Sequence, residues 1–147
     1  MGNRAVIRTK SQRYTDLGVY VHWNGDRASI EAFLTYCKLR GFRPPEQDHY
    51  GWARLCQIIG NFFGGGLSVG IDHASRLDLD NGDNGVYVIE NWRIVGREYA
   101  PEGQATPISE LLPMLRVIDD RQPSDDRLGD KLDGMLKDSL RGEGRTW

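Results

Sequence analysis

The chain has little of what marks an extracellular, membrane-bound or metal-dependent protein. Its only cysteines are Cys37 and Cys56. Both fall inside apolar helical patterns, so they read as buried free thiols in a reducing compartment, not as a disulfide frame or a metal clamp. No apolar run approaches the ~18 residues that span a bilayer, and no signal-peptide core precedes the body. Gly2 matches a myristoylation start, but Val6 stands where Ser or Thr is required, which rejects a lipid anchor. A cytoplasmic location is expected. His22, His49 and His73 are scattered outside any metal spacing. Asp and Glu are common, yet nothing selects a hydrolytic pair. A net charge of −2 gives no bulk electrostatic grip on DNA or RNA.

What is present suits one globular domain. The 147 residues, 39% hydrophobic and 27% charged, can bury one core. A single α+β domain is expected over residues 1–140, with 141–147 as a disordered tail, although Trp147 is an odd residue to leave in water. Charge is uneven: residues 1–60 sum to +4 and residues 61–147 to −6. That permits a modest positive site, or opposite halves that attract within one fold or between subunits.

Residues 4–9 and 18–23 alternate with β-branched and aromatic content and read as strands. Asn24-Gly25 is a turn, and Asp26 caps a helix over about residues 28–40 that buries Ile30, Phe33, Leu34 and Cys37. Gly41 and Pro44-Pro45 end it. Asp48 caps a second helix, HYGWARLCQIIGNFF, with Trp52, Leu55, Cys56, Ile59, Phe62 and Phe63 on one face. Gly64-Gly65-Gly66 stops it before a short strand at 67–72. Strands at 85–90 and 92–98 form a hairpin about Asn91. A third helix starts with Thr106 as cap and Pro107 in the first helical position, and runs to about Ile118. A last helix near 125–140 has a thin stripe of Leu128, Leu132, Met135, Leu136 and Leu140, suited to a neighbouring subunit. The order argues for an α+β fold: an antiparallel sheet with two central helices and C-terminal helices.

Four groups of residues are candidates for chemistry. The acidic stretch Asp78–Gly85 fails the calcium-loop pattern in both registers and reads as a sharp turn. The glycine run 64–66 follows a helix, where the dipole repels anions, and reads as a C-cap. The histidines and carboxylates assemble no catalytic set. Aromatic and arginine residues remain: Tyr50, Trp52 and Arg54 on or beside the second helix; Tyr87, Trp92, Arg93 and Arg97 on the hairpin; Arg116 and Arg121 at the end of the third helix. Flat rings stack on bases and guanidinium forks hold phosphates. Asn84 and Asn91 offer an amide donor and acceptor side by side for a purine edge. The plain structural reading stands beside this one, with Trp52 and Trp92 in the core and the arginines ordinary surface groups.

The strings MGNRAVI, GVYVHWNG, YCKLRGFR, YGWARLCQIIGNFFGGGLSVGID and DNGDNGVYVIENWRIVGR resemble small phage-encoded proteins, and within these the first-described of the Thoeris anti-defence sponge families. The resemblance covers about residues 1–100; the helical C-terminal part is looser. It implies a non-enzymatic task with no cofactor or metal: sequestering the cyclic ADP-ribose isomers (gcADPR and its relatives) made by bacterial TIR-domain enzymes, in the cytoplasm of the infected host, without cleaving them. Some members also hold cyclic oligonucleotides. It implies a homo-oligomer, dimers that can assemble into hexamers, with pockets between subunits. Family roles carry over onto candidates here: a stacking ring at Phe63 or Tyr87, an edge-reading amide at Asn84 or Asn91, and phosphate clamps at Arg54, Arg97, Arg116 and Arg121. Two other readings stay open. One is a protein-interaction inhibitor of a host factor. The other is a nucleotide-cleaving enzyme using carboxylates such as Asp72, Asp80 or Asp83.

Overall fold

In a computed structural model, residues 2–10, 16–65 and 68–143 are described. The elements follow the expected order: β1 (Ala5–Thr9), β2 (Leu17–Val21), α1 (Arg27–Leu39), α2 (His49–Phe63), β3 (Val69–His73), β4 (Val86–Glu90), β5 (Arg93–Glu98), α3 (Ile108–Asp120) and α4 (Leu132–Gly142). The fold is α+β, built on a five-stranded sheet in the order β3-β2-β1-β4-β5. The sheet is mostly antiparallel. The exception is the pair β1–β4, which runs parallel with Ile7 opposite Tyr87.

Paired residues share a sheet face. Ala5, Ile7, Val19, Val21, Tyr87 and Ile89 pack with the helices in one apolar cluster. α1 is the central helix, touching α2, α3, α4 and β5, and Ile30, Phe33, Leu34 and Cys37 are at most 1% exposed. Trp52 and Trp92 are core residues, as the plain reading had them. On the opposite face the chain returns from β3 to β4 through residues 74–85. There Gly18 leaves room for Leu77, whose Cδ1 lies 2.9 Å from where a Cβ would stand. This return over the second face brings β4 alongside β1 in parallel.

Local chemistry explains the element ends. Asp26 accepts from Ser29 N at 3.1 Å and Asp48 from Tyr50 N at 2.9 Å, satisfying orphan donors of the first turn. Gly64 closes α2 in the left-handed conformation, φ 64°. The acidic loop is organised by Asn81, 4% exposed. Its Nδ2 donates to the oxygens of Asp78 and Gly85, and its Oδ1 accepts from Asp83 N and Gly85 N. This is the turn chemistry expected of the stretch.

Several boundaries differ from expectation. Trp92 is a turn residue, not the start of β5: Asn91 and Trp92 both have positive φ, 51° and 61°, as a two-residue hairpin turn requires. Pro107, not Thr106, caps α3 with extended backbone, ψ 145°. The last helix is broken. 3-10 turns at Ser124–Asp126 and Gly129–Lys131 precede α4, because Asp119 accepts from Leu128 N and Gly129 N at 2.7 and 2.9 Å and pulls the main chain aside. The α4 stripe of Leu132, Leu136 and Leu140 lies inside this chain's own core, not on a neighbour. The expected strand start at Leu67, and the tail residues 144–147 with Trp147, lie outside the described residues. No helix among the described residues is long and apolar enough to cross a membrane.

Candidate functional site

The eight candidate binding residues do not converge on one site. Tyr87 is fully buried and its hydroxyl donates to Gly25 O at 2.7 Å. The Arg97 guanidinium covers the ring at 3.9 Å, so no face is left for a base arriving from solvent. Arg97 itself donates to Asn84 O at 2.6 Å and Val86 O at 3.3 Å. Burial, its largest influence, lowers its pKa. The Asn84 amide donates to Asn3 Oδ1 and Arg4 O, which commits its donor edge. These three residues come together as a structural cluster where a strand end meets the turn before it.

The others are dispersed. Asn91 sits at the hairpin tip, its backbone N–H donating to Glu46 Oε2 at 2.8 Å. Phe63 packs edge-on to Phe62. Arg121 covers Phe62 at 4.5 Å and donates to its main-chain oxygen. Arg116 is engaged by both oxygens of Asp133, at 3.1 and 2.8 Å.

Of the eight, Arg54 borders a large opening. Two adjoining cavities meet at the corner between α1 and α2. One, of about 450 Å³, is lined by Gly41, Phe42, Arg43, Tyr50, Gly51 and Arg54. The other, of about 220 Å³, is lined by Arg40, Phe42, Arg54, Gln57, Asn61 and Asp126, among others. Phe42 carries two guanidiniums, Arg40 at 5.3 Å and Arg54 at 5.8 Å from its ring centre, both within cation–π range. Tyr50 is 54% exposed and stacks on His49 with ring centres 4.8 Å apart. Arg43 pairs with Asp48 at 3.1 Å. Arg54 has no acidic partner among the described residues and donates to Gln57 at 3.2 Å.

The corner exists because of local sequence. Gly41, φ 76°, takes the left-handed step that ends α1. Gly51 lets the 43–45 strap lie against α2: a Cβ there would stand 2.6 Å from Arg43 O and Pro45 N. Tyr50 and Arg54 were visible as residue types, but Arg40, Phe42 and Arg43 were missed. The signal was arginines spaced about an aromatic residue in LRGFR, straddling the helix stop.

A third cavity, about 160 Å³, lies between α1, β5 and α4. Its charges are paired: Glu143 holds Lys38 at 2.6 Å and Arg93 at 3.2 Å, and Glu31 holds Arg27 at 3.6 Å. Among the described residues, no group of three or more His, Cys, Asp or Glu is placed to hold a metal ion. The class defined here is an α+β domain with an arginine-and-aromatic corner. Comparison with protein-family models, with curated proteins and with solved structures gives no significant match.

Proposed function

We propose that this chain is a non-catalytic binding protein that holds a nucleotide-type anion at the α1–α2 corner. One observation carries the reading: Phe42, with the guanidiniums of Arg40 and Arg54 at 5.3 and 5.8 Å from its ring centre, lines a cavity of about 450 Å³ together with Arg54 and the exposed ring of Tyr50. Ligand pockets of ~300–1,000 Å³ suit small molecules. A ring stacks on a base, and guanidinium groups take phosphate oxygens. At micromolar to nanomolar affinity the net gain is about 8–12 kcal/mol, which stacking and a few charge-assisted hydrogen bonds supply.

Within that class, the sequence resemblance points to cyclic ADP-ribose isomers, sequestered intact as an anti-defence sponge in the cytoplasm of an infected host. Cyclic oligonucleotides are the second ligand of this kind. The same reading makes the protein a homo-oligomer, a dimer or a hexamer. The test is native mass spectrometry of the purified protein with and without ligand, followed by heat release. Intact ligand and a defined assembly are expected; a hydrolysed product defeats the sponge reading in favour of a cleaving enzyme.

A protein partner is the second reading. Ile71 and Val95, 56% and 46% exposed, stand on the two edge strands β3 and β5, where a partner strand or apolar surface has access. A stable complex with a host protein, alongside no nucleotide affinity, would favour it.

A further inference from the structure

The two guanidiniums near the Phe42 ring are not equivalent. Arg54 has no acidic partner among the described residues. Arg40 Nη2 stands 3.8 Å from Asp126 Oδ1, with the two side chains 19% and 49% exposed. Asp126 comes from the 3-10 turn Ser124–Asp126 between α3 and α4, so a distant segment of chain places one carboxylate at the mouth of the corner.

That turn is fixed on both sides. Gln122, 2% exposed, donates to the main-chain oxygens of Ile58 and Ile118 and accepts from Asn61 Nδ2 at 2.8 Å. Beyond it, the Asp119 carboxylate holds Leu128 N and Gly129 N. The main chain at Asp126 is therefore pinned. A carboxylate carried on a pinned main chain at this distance from Arg40 sets the local potential.

We infer that Asp126 is the charge-selecting residue of the corner site, the resident counter-ion of Arg40 that an anionic ligand group must displace to reach that guanidinium. The inference rests on the corner being an anion site. A ligand with one anionic group is served by Arg54 alone. A ligand with two linked groups brings the second to Arg40 at high effective concentration and can outcompete a half-exposed pair, since such pairs are worth little in water. The selected class is a ligand carrying linked phosphates. Asp126 acts through Arg40 and is a specificity residue, not a contact for the base.

The experiment is calorimetric titration of the full chain with adenosine, ADP-ribose and inorganic pyrophosphate, in wild type, Asp126→Asn, Arg40→Gln and the double variant. Asp126→Asn is expected to tighten pyrophosphate and ADP-ribose about fivefold, the scale of one unit charge at ~4 Å in water. Adenosine should not change, and most of the gain should vanish when Arg40 is Gln. Asp126→Ser serves as a second variant if the amide disturbs the turn. Unchanged anion affinity, an equal gain for adenosine, or a gain that survives intact in the double variant would overturn the inference. If pyrophosphate binds and responds as stated while ADP-ribose does not bind, the nucleotide reading falls and the role of Asp126 stands. If no anion binds either wild type or Asp126→Asn, both fall.

Discussion

Trp92 Nε1 donates a hydrogen bond to the main-chain oxygen of Phe42 at 2.8 Å. Trp92 is 3% exposed, in the left-handed region with φ 61°, a conformation that costs a bulky residue on the order of 1 kcal/mol or more. The bond and the burial of the indole hold it there. They also bolt the β4–β5 hairpin to the residue at the centre of the corner site. The turn is doubly tied, since Glu46 accepts from the adjacent Asn91 N.

Trp92→Phe should therefore act on both stability and binding. It keeps a ring but strands the Phe42 oxygen, a loss of about 2 kcal/mol, or roughly 5 °C in melting temperature for a domain of this size. Nucleotide affinity should fall with it, because the Phe42 main chain is released. A thermal melt and a titration check this. Unchanged stability would mean that water replaces the indole without cost.

Glycines of α2 make a matched pair. A Cβ at Gly51 would stand 2.6 Å from two main-chain atoms of the 43–45 strap, whereas a Cβ at Gly60 meets nothing within 4 Å. Ala in place of Gly gains up to about 1 kcal/mol from helix propensity alone. Gly60→Ala is thus expected to stabilise by about 0.5–1 kcal/mol. Gly51→Ala is expected to destabilise by about 1–2 kcal/mol net, as the strap is forced outward. Equal shifts in denaturant melts of the two variants would refute the close approach.

Local patterns made the elements legible because caps and periodic stripes act over a few residues. Asp26 and Asp48 marked two helix starts, and the stripes Ile30–Cys37 and Trp52–Phe62 marked the faces that are in fact buried. The parallel β1–β4 pairing was not legible, since it depends on residues 74–85 returning over the far face of the sheet. Tyr87 suggested a stacking ring because an aromatic in an alternating strand looks alike whether it faces a ligand or a core. Gly25 O and Arg97 decide the matter, and both reach it through tertiary contacts. Arg40, Phe42 and Arg43 lay in what read only as a helix stop. Their convergence with Tyr50 and Arg54 needs the strap against Gly51, which spacing does not encode.

Acid should weaken the fold through Asp119. Burial pushes its carboxyl up, but hydrogen bonds from Tyr36 Oη at 2.6 Å, Leu128 N and Gly129 N outweigh that and hold it below the ordinary carboxylate range. A depressed folded pKa contributes stability that is complete above the unfolded value, about 3.9, and is lost as pH falls through the folded one. Stability should fall on acidification below about pH 5. Asp119→Asn should flatten that acid limb and cost about 2–3 kcal/mol near neutrality. Melts across pH of both forms decide it; parallel acid limbs would remove Asp119 as the cause.

The cysteines report on global opening. Burial pushes the Cys37 thiol far up, and the Cys56 thiol up to about 11; Cys37 is fully buried and Cys56 partly so. A thiol reacts as thiolate, so at about pH 8 both should resist alkylation in the native state. Denaturant should expose both together. Rapid native labelling of Cys56 would mean that α2 opens locally.

Arg54 and Arg97 separate binding from architecture. Both are arginines near aromatic rings, and both fit a phosphate clamp by residue type. Arg54 is exposed and, among the described residues, makes one hydrogen bond, to Gln57. Arg97 is partly buried, covers Tyr87 at 3.9 Å and donates to two main-chain oxygens. Arg54→Gln should leave the melting temperature nearly unchanged, as surface substitutions stay within about 0.5 kcal/mol, yet weaken an anionic nucleotide about tenfold or more through loss of a charge-assisted contact. Arg97→Gln should instead cost about 2–3 kcal/mol of stability, because two carbonyls and a ring face lose their partner, while nucleotide affinity of the folded fraction holds. Binding lost in Arg97→Gln but kept in Arg54→Gln would move the ligand from the α1–α2 corner to the hairpin.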